Sequence, residues 1–421
     1  MSDLTTVLDR IRPGHRVFVA GSSGEPTALI EAWRADPDRT RGLDIVTSAV
    51  PGINRLAVAD LHPTASLTGL FMRPDLDTAH RDGRYRHLPL SYGGFARALS
   101  DGAFAFDVCI AQVSPPDETG RHSLGPAVEF LPLVMAHARE TCGLINRQTP
   151  VIAGSTVIDS STLTARAEVD TPLATYDTGP VDAVSAAIAA HVAELVEDGA
   201  TLQVGLGKTP GALLRALHDR QGLKLHSGMF GDDVPGLVES GALEAGAPHR
   251  ACVFVGGPDL YAWAGRQSVL SVAGCQITHG ADALARLEDF VAVNSAIEVD
   301  LFGQAALEHV DGRAVSGAGG APDFARAAKM SRGGISVVAL PATGARGTRS
   351  RIVAALTAPA VVTLPRTDVD VVVTEYGIAD LRGRSVLERA ERLIAIADPA
   401  FRPQLAAALG KTPPERPLQR G

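Results

Sequence analysis

Most apolar positions of the chain fall in short continuous runs, and polar, glycine-rich turns follow many of them. Continuous runs predict strands buried on both faces, whereas a strand with one exposed face would alternate apolar and polar residues. Such strands belong to mainly parallel sheets covered by helices, so the pattern predicts an α/β fold. The predicted strands are Arg16 to Ala20, Asp44 to Thr47, Val108 to Val113, Thr201 to Val204, Ala251 to Val255, Ile335 to Leu340 and Val369 to Thr374.

Two stretches share one pattern of strand, glycine loop and helix. In the first, the loop Gly21 to Gly24 precedes a helix predicted over Thr27 to Arg34. In the second, Gly205-Leu206-Gly207 precedes a helix predicted over Pro210 to Leu217. Free N–H groups and the helix dipole favour an anion at such a turn, although a single glycine loop is also an ordinary connection. The repeated pattern indicates two related α/β halves.

A segment rich in turn formers, residues 171 to 182, separates the halves. An apolar helical stripe begins at Val184 and ends before Gly199. We therefore predict one domain over residues 1–180, a second over residues 181–410, and a flexible tail over residues 411–421, which is rich in proline and charge.

Composition excludes several function classes. The chain has 421 residues, 45% of them hydrophobic, and a net charge of −8, which argues against a nucleic-acid binder. Its four cysteines form no CxxC pair, and no spacing of histidines, cysteines or acids indicates a metal site. The longest apolar stretch, Ile352 to Leu364, contains Pro359 and is shorter than the roughly 18 residues of a membrane span. We expect a cytoplasmic protein that holds no metal and binds neither nucleic acid nor membrane.

Five polar, glycine-rich segments coincide with the ends of predicted strands. Turn glycines, helix caps and surface charges would explain each one alone, but five that converge at strand ends indicate a site. The segments are Gln112 to Gly120 with Ser123 to Gly125, His226 to Asp233, Asn294 to Asp300, Ser316 to Phe324, and Thr374 to Gly383.

These segments resemble the acetyl-CoA hydrolase/transferase family over nearly the whole chain. The resemblance runs from Gly21 to Pro26 through QVSPPDETG and VNSAIEVDLFGQ to VVVTEYGIADLRGRSVLERAERLIAIA. It implies two CoA-transferase-like domains with the active site at their junction, a coenzyme A thioester as substrate, no bound cofactor, and a homodimer.

The chemistry of the family assigns roles to this chain's residues. A glutamate attacks the acyl-CoA and passes through a glutamyl-CoA thioester, while oriented N–H donors stabilise the oxyanion. Glu375 lies in the family's TE-x-G-x-ADLRG segment, a position that lines the active site of relatives. The resemblance places the thioester and its CoA against Gly205, Gly207, Lys208, Asn294, Gly317, Gly319 and Gly320.

The chain departs from the family at the nucleophile. Relatives read H-[ST]-E-M-F-S-D-G, whereas this chain reads His226-Ser-Gly-Met-Phe-Gly-Asp-Asp233, so the glutamate position is Gly228. Glycine has no side chain and cannot form an anhydride. His279 stands where relatives carry an asparagine, and Ala321 replaces a usual glutamine. Because histidine is a general base near neutral pH, it can activate an acceptor to attack the thioester directly.

Three hypotheses follow. The preferred one is direct acyl transfer or hydrolysis from acyl-CoA or an acyl carrier protein, with His279, His226, Ser227 and Glu375 as acid/base candidates. The second is conventional carboxylate transfer in which Asp232 or Asp233 replaces the glutamate, although capping of the next helix is the simpler role for them. The third is a catalytically silent acyl-CoA-binding subunit. A Cys275/His279 pair stays open, while Cys109 and Cys252 are predicted to lie in the core.

Overall fold

The structure of the chain is a computed structural model that describes residues 3–410, so the predicted tail 411–421 lies outside the described residues. The strands of the first half are β1 (Arg16–Val19), β2 (Asp44–Thr47), β3 (Ser66–Gly69), β4 (Tyr85–His87), β5 (Phe106–Val113), β6 (Arg121–Ser123), β7 (Ala138–Asn146), β8 (Val157–Asp159) and β9 (Ala165–Val169). Its helices are α1 (Thr5–Leu8), α2 (Thr27–Ala35), α3 (Asp77–Arg81), α4 (Tyr92–Ser100) and α5 (Leu131–His137).

The second half has more but shorter strands. They are β10 (Thr201–Val204), β11 (Lys224–Leu225), β12 (Met229–Phe230), β13 (His249–Ala251), β14 (Val253–Phe254), β15 (Leu270–Val272), β16 (Phe290–Ser295), β17 (Glu298–Asp300), β18 (Ala305–Ala306), β19 (His309–Val310), β20 (Arg313–Ala314), β21 (Ile335–Ala339), β22 (Thr343–Gly344), β23 (Arg349–Ser350), β24 (Ile352–Val353), β25 (Val371–Thr374) and β26 (Gly377–Asp380). Its helices are α6 (Ala183–Ala193), α7 (Lys208–Ala216), α8 (Val234–Glu239), α9 (Pro258–Ala264), α10 (Cys275–Thr278), α11 (Ala281–Leu284), α12 (Ala321–Met330), α13 (Val386–Ala395) and α14 (Arg402–Leu409).

Two large sheets organise the chain. The first has the order β4-β3-β2-β1-β5-β7-β9 and is parallel throughout. The second has the order β11-β10-β16-β21-β25-β26, and only β26 runs antiparallel to its neighbour. The predicted mainly parallel α/β fold is therefore confirmed. The predicted boundary at residue 180 lies between the strands of the two sheets and stays a prediction.

One predicted strand is wrong in its extent. Residues 251 to 255 form no single strand in a large sheet, because β13 pairs with β15 and β14 pairs with β12 on either side of Cys252. The Cys252 carbonyl accepts the N–H groups of Val128 and Glu129, and its own N–H donates to the Gly228 carbonyl. The backbone of Cys252 therefore links the two halves instead of continuing one ladder.

The halves share a hydrophobic core. One continuous cluster contains Phe18 and Phe130 from the first half together with Phe230 and Phe254 from the second. This shared core forms the joint between the halves. In it the Phe254 N–H donates to the Pro126 carbonyl at 2.8 Å. The joint fixes the position of β12 and β14, and Gly228 lies directly before β12.

Within residues 3–410, no helix combines the length and apolar character that crossing a membrane requires.

Candidate active site

The carboxyl ends of the parallel strands in the second sheet meet along one edge. There β10 leads into Gly205, β11 leads into His226 and Gly228, and β16 ends just after Asn294. In α/β sheets of this kind, ligands bind outside the carboxyl ends of the strands. The structure therefore gathers these predicted site residues at the expected edge.

The imidazole of His279 occupies the room beside Gly228. A Cβ atom added to Gly228 would lie 3.3 Å from His279 Nε2, and one added to Gly320 would lie 2.6 Å from the same nitrogen. His279 comes directly after α10, and its ring contacts Phe324 of α12 and Tyr92 of the first half, with centroid distances of 4.6 and 5.3 Å. The ring thus lies at the junction of the halves, between the two glycines.

A hydrogen bond to Thr278 holds the His279 ring in place. Its Nδ1 lies 2.9 Å from Thr278 Oγ1, and the Thr278 hydroxyl donates to the Gly274 carbonyl. In the tautomer that carries the proton on Nδ1, the Thr278 hydroxyl turns to the Gly274 carbonyl at 3.5 Å and Nε2 is an acceptor beside Gly228 and Gly320. Burial, together with His226, lowers the pKa of His279 to about 3, so the ring is neutral at pH 7.

His226 and Ser227 lie near this ring, but His226 Nε2 and the Ser227 hydroxyl are already paired. His226 Nε2 donates to the Thr278 carbonyl at 2.8 Å, and burial lowers the pKa of this histidine. The Ser227 hydroxyl donates to the Val204 carbonyl at 2.7 Å. Both residues therefore hold the backbone around the site, and the ring nitrogen beside Gly228 is Nε2 of His279.

The glycine segment 317–320 docks on the first half. A Cβ on Gly317 would lie 2.0 Å from the Leu70 carbonyl, and the Gly319 carbonyl accepts the Tyr92 N–H at 2.9 Å. Asp323, in the first turn of α12, accepts hydrogen bonds from the Ser91 hydroxyl and the Gly93 N–H. These contacts explain the glycines by close approach of backbone, and they set the amino end of α12 over His279.

The loop Gly205 to Gly207 is open. A Cβ on Gly205 would meet no atom within 4 Å, and Gly207 has a φ of +129°, a conformation that side chains rarely adopt. Lys208 begins α7 and pairs with Asp182 at 3.2 Å on the surface. The loop lines a small cavity that shares Asp232 with a cleft of about 870 Å³.

Glu375 lies at the same edge of the sheet as His226 but several strands away from it. It follows β25, and three strands separate β25 from β11 in the sheet order. At a strand spacing of about 4.8 Å, this places it roughly 19 Å along the edge from the end of β11. Its carboxylate accepts the Ala342 N–H at 2.8 Å. The structure therefore does not bring Glu375 together with His226.

Asp232 and Asp233 are also displaced from the glutamate position, because β12 carries the chain away from Gly228. Asp232 accepts the Gly257 N–H at 2.9 Å, and Asp233 lies 3.4 Å from Arg215. The capping role expected for them is wrong, since Asp233 precedes α8 without a side-chain bond to it.

Cys252 and Cys275 converge on His279, with their sulfur atoms and a ring nitrogen within 4.8 Å of one another. The Cys252 thiol donates to the Gly228 carbonyl at 2.9 Å, and burial raises the pKa of the Cys275 thiol well above its usual range. The cluster therefore packs as protonated thiols. Burial of Cys109 and Cys252 agrees with the core positions predicted for them, and the prediction of no metal site stays a prediction.

The first glycine loop is buried, and its polar groups bond within the protein. The Gly21 N–H donates to the Ser48 hydroxyl, the Ser22 N–H donates to Asn54, and both serine hydroxyls donate to the buried carboxylate of Glu129 at 2.6 and 2.9 Å. Burial raises the pKa of Glu129 to about 7. The sequence indicated an anion site in this loop, but two of its N–H groups and the Ser22 hydroxyl are already paired within the protein.

Sequence reasoning missed Tyr92 and Glu129, and it assigned no role to Thr278 or to Phe324, the last residue of the segment Ser316 to Phe324. Each of them acts through a contact that depends on the fold. No local motif marks Tyr92 or Glu129, whereas Thr278 adjoins His279 and Phe324 ends a glycine-rich segment.

Comparison with known proteins extends the picture to the whole chain. Residues 3–171 match the acetyl-CoA hydrolase/transferase N-terminal domain, and residues 256–409 match the C-terminal domain of the same name. A 4-hydroxybutyrate coenzyme A transferase of Clostridium kluyveri is 31% identical over 94% of this chain and 94% of that protein.

Two solved structures are similar. The crystal structure of RipA from Yersinia pestis superposes with a TM-score of 0.88 and 26% identity, and the match covers 98% of this chain and 97% of RipA. A 4-hydroxybutyrate CoA-transferase from Porphyromonas gingivalis superposes with a TM-score of 0.78 and 30% identity over 97% of each chain.

Proposed function

Since the chain belongs to the acetyl-CoA hydrolase/transferase family, we propose that it moves an acyl group from a thioester directly to water or to a non-carboxylate acceptor, without a glutamyl-CoA intermediate. The membership confirms the predicted family and the prediction of an enzyme of thioester chemistry. The donor in the proposal is an acyl-CoA or an acyl group on a carrier protein. A homodimer and a cytoplasmic location stay predictions.

One observation carries the proposal: His279 Nε2 occupies the room beside Gly228. Where relatives are expected to place a carboxylate that becomes covalently attached to CoA, this chain places a neutral nitrogen base. An imidazole in this position can take a proton from an acceptor, and Gly228 has no group that could replace the glutamate as a nucleophile.

The acceptor's O–H or N–H gives its proton to His279 Nε2 while its oxygen or nitrogen attacks the thioester carbon. The tetrahedral intermediate then collapses, the carbon–sulfur bond breaks, and the thiolate takes the proton back from the imidazolium. The low pKa of His279 keeps the ring unprotonated before the step but also makes it a weak base, so the step requires the neighbouring oxyanion to stabilise the imidazolium as it forms.

The backbone of segment 317–320 and of α12 can stabilise the negative charge that develops during this step. The amino end of α12 and the segment 317–320 lie against His279, and a helix amino end favours negative charge. An oriented N–H donor at an oxyanion contributes roughly 3–4 kcal/mol in well-studied enzymes. Glycines at these positions allow the backbone to approach the thioester closely.

The test is thiol release from acetyl-CoA and butyryl-CoA, with water, an amine or an alcohol as acceptor. We expect turnover by the wild type and a loss of roughly 100-fold or more in His279→Ala, because general-base catalysis contributes factors of that order. His191→Ala, on the surface of α6, is the matched control and should leave the rate unchanged.

Two results would contradict the proposal. Full turnover by His279→Ala would show that the imidazole takes no part. An absence of thiol release from every acyl-CoA and acyl carrier protein, with CoA still bound in calorimetry, would favour the silent binding subunit.

A further inference from the structure

Two thiols and an imidazole converge inside the protein. The sulfur atoms of Cys252 and Cys275 and a ring nitrogen of His279 all lie within 4.8 Å of one another, and the three residues are at most 3% exposed. Thiolate sulfur and imidazole nitrogen are the ligands that zinc prefers in proteins. Sequence spacing did not predict this set, because Cys252 is far in sequence from the other two donors and only the fold brings it to them.

Two of the three donors come from one helical turn. Cys275 begins α10, and His279 follows the last residue of that helix. The His279 N–H donates to the Cys275 carbonyl at 2.8 Å, so the two residues keep the helical spacing of four and their side chains share one face. Cys252 supplies the third donor from the connection between β13 and β14. Two separate backbone elements therefore fix the set.

Hydrogen bonds hold the donors in the metal-free protein. His279 Nδ1 lies 2.9 Å from Thr278 Oγ1, which leaves Nε2 as the nitrogen available to a metal. The Cys252 thiol donates to the Gly228 carbonyl at 2.9 Å. Loss of that thiol proton would not leave the carbonyl without a donor, because the Cys252 N–H also donates to it at 3.1 Å.

The charges of the donor set favour a divalent metal. Two thiolates, a neutral imidazole and a divalent cation have no net charge, so filling the site buries no uncompensated charge. The buried carboxylates of Glu129 and Asp323 already bond to hydroxyl and N–H groups of the first half. A monovalent copper ion would leave one negative charge, and Mg²⁺ and Ca²⁺ prefer oxygen ligands. The set therefore fits Zn²⁺.

We infer that Cys252, Cys275 and His279 form a zinc site, and that Zn²⁺ bound there suppresses the proposed acyl transfer. Binding forms one zinc–nitrogen and two zinc–sulfur bonds and releases the two thiol protons to solvent. The lone pair of His279 Nε2 then lies in the bond to the metal and cannot take a proton from an acceptor. The suppression rests on the proposed function, because it takes Nε2 as the general base, whereas the binding does not.

The binding test uses reduced protein without a purification tag, and Co²⁺ as a spectroscopic substitute for Zn²⁺. We expect one Co²⁺ per chain, with a sulfur-to-cobalt charge-transfer band in the near ultraviolet and the visible bands of tetrahedral coordination. One equivalent of Zn²⁺ should remove these bands, because such sites bind Zn²⁺ more tightly than Co²⁺.

The variants Cys275→Ala and His279→Asn each remove one donor. We expect each to weaken Zn²⁺ binding by about 100-fold or more in competition with a chromogenic chelator, because even changes behind a ligand cost roughly 10- to 100-fold. Cys109→Ala is the matched control and should keep the wild-type affinity, since it removes an equally buried thiol outside the cluster. Circular dichroism checks the fold of each variant, and His279→Asn decides the question if Cys275→Ala does not fold.

Thiol release measures the consequence of binding. One equivalent of Zn²⁺ should lower the wild-type rate roughly 100-fold, the order of a lost general base, and excess chelator should restore it. In Cys275→Ala the same Zn²⁺ should leave the rate at that variant's own metal-free value.

Metal binding without the charge-transfer band would overturn the zinc site and indicate an adventitious surface ion, and so would a band that survives in both Cys275→Ala and His279→Asn. An undiminished or increased rate in zinc-loaded wild type would overturn the suppression. If the metal-free protein releases no thiol, the proposed function fails while the Co²⁺ spectrum still decides the zinc site.

Discussion

The glycine loop after β1 and the glycine loop after β10 share one sequence pattern, yet the structure closes the first and leaves the second open. Around Gly21 the loop is buried, and its hydroxyl and N–H groups bond to Ser48, Asn54 and Glu129. Around Gly205 the residues are partly exposed and border a cavity.

The closed loop has a structural role, whereas the open loop borders the candidate site. The closed loop stands at the joint between the halves, where the Ser23 hydroxyl donates to the Phe254 carbonyl and the backbone of Glu129 bonds to that of Cys252 and Cys275. That joint holds the segment carrying Gly228 and the helix leading to His279. A repeated motif can thus form a structural joint in one half and border a candidate site in the other.

The largest expected effect is a difference in stability between alanine variants of Gly21 and Gly205, the first glycines of the two loops. Gly21→Ala would place a methyl group 2.3 Å from the Ser48 carbonyl, so we expect the free energy of unfolding in urea to fall by about 3 kcal/mol. Gly205→Ala places its methyl in open space and should change stability by less than about 0.5 kcal/mol while weakening CoA binding. Similar stability losses in the two variants would contradict the distinction between a closed and an open loop.

A pH series on Glu129→Gln probes the closed loop next. The pKa of Glu129 is raised from 4.5 to about 7, so the folded state binds its proton more tightly than the unfolded state does. Wild type should therefore lose stability as the pH rises from about 5 to 7, by an amount on the order of 2 kcal/mol relative to the glutamine variant. Urea unfolding at several pH values measures this, and parallel curves for the two proteins would refute a buried, protonated carboxyl.

For His279 we expect stability to change with pH in the opposite direction. Its pKa is lowered from 6.5 to about 3, so the unfolded state binds the proton more tightly and wild type loses stability as the pH falls through this window. Relative to His279→Asn, the loss between pH 6 and pH 5 should be about 1 kcal/mol. If both proteins responded equally to acid, the imidazole would not be held in the neutral form.

The smallest effect concerns the residue that orients His279. Thr278→Val removes the hydroxyl that bonds to Nδ1 while keeping the shape of the side chain. We expect kcat for thiol release to fall about tenfold with KM unchanged, because only a fraction of the rings then present an acceptor at Nε2. A change in KM alone would assign Thr278 to substrate binding, and Thr149→Val serves as the control for loss of a buried hydroxyl.

The sequence was most informative where the pattern was local. Apolar runs such as Val108 to Val113 predicted strands because burial on both faces needs no knowledge of the neighbours. Strand β7 escaped prediction because it begins with Ala-Arg-Glu-Thr, whose polar residues are tolerated near the strand's start. The predicted strand over residues 251–255 was interrupted because Cys252 bonds to the other half, which no local pattern shows.

The candidate site was predictable in part for the same reason. Family motifs marked Gly228 and His279, but nothing in the sequence shows that the imidazole lies beside that glycine or that His226 and Ser227 are already paired. The pairing of Glu129 with Ser22 and Ser48 depends on residues far apart in the chain. Such contacts follow from the packing of the halves and become visible only in the fold.

The intact mass of the protein during turnover tests the central claim most directly. The enzyme is mixed with acyl-CoA and quenched at short times. Its intact mass is then measured with and without hydroxylamine or borohydride treatment. Our account predicts thiol release while the chain keeps its unmodified mass. A chain heavier by the CoA moiety, attached at Asp232, Asp233 or Glu375 and removed by hydroxylamine, would contradict direct transfer and restore the carboxylate mechanism.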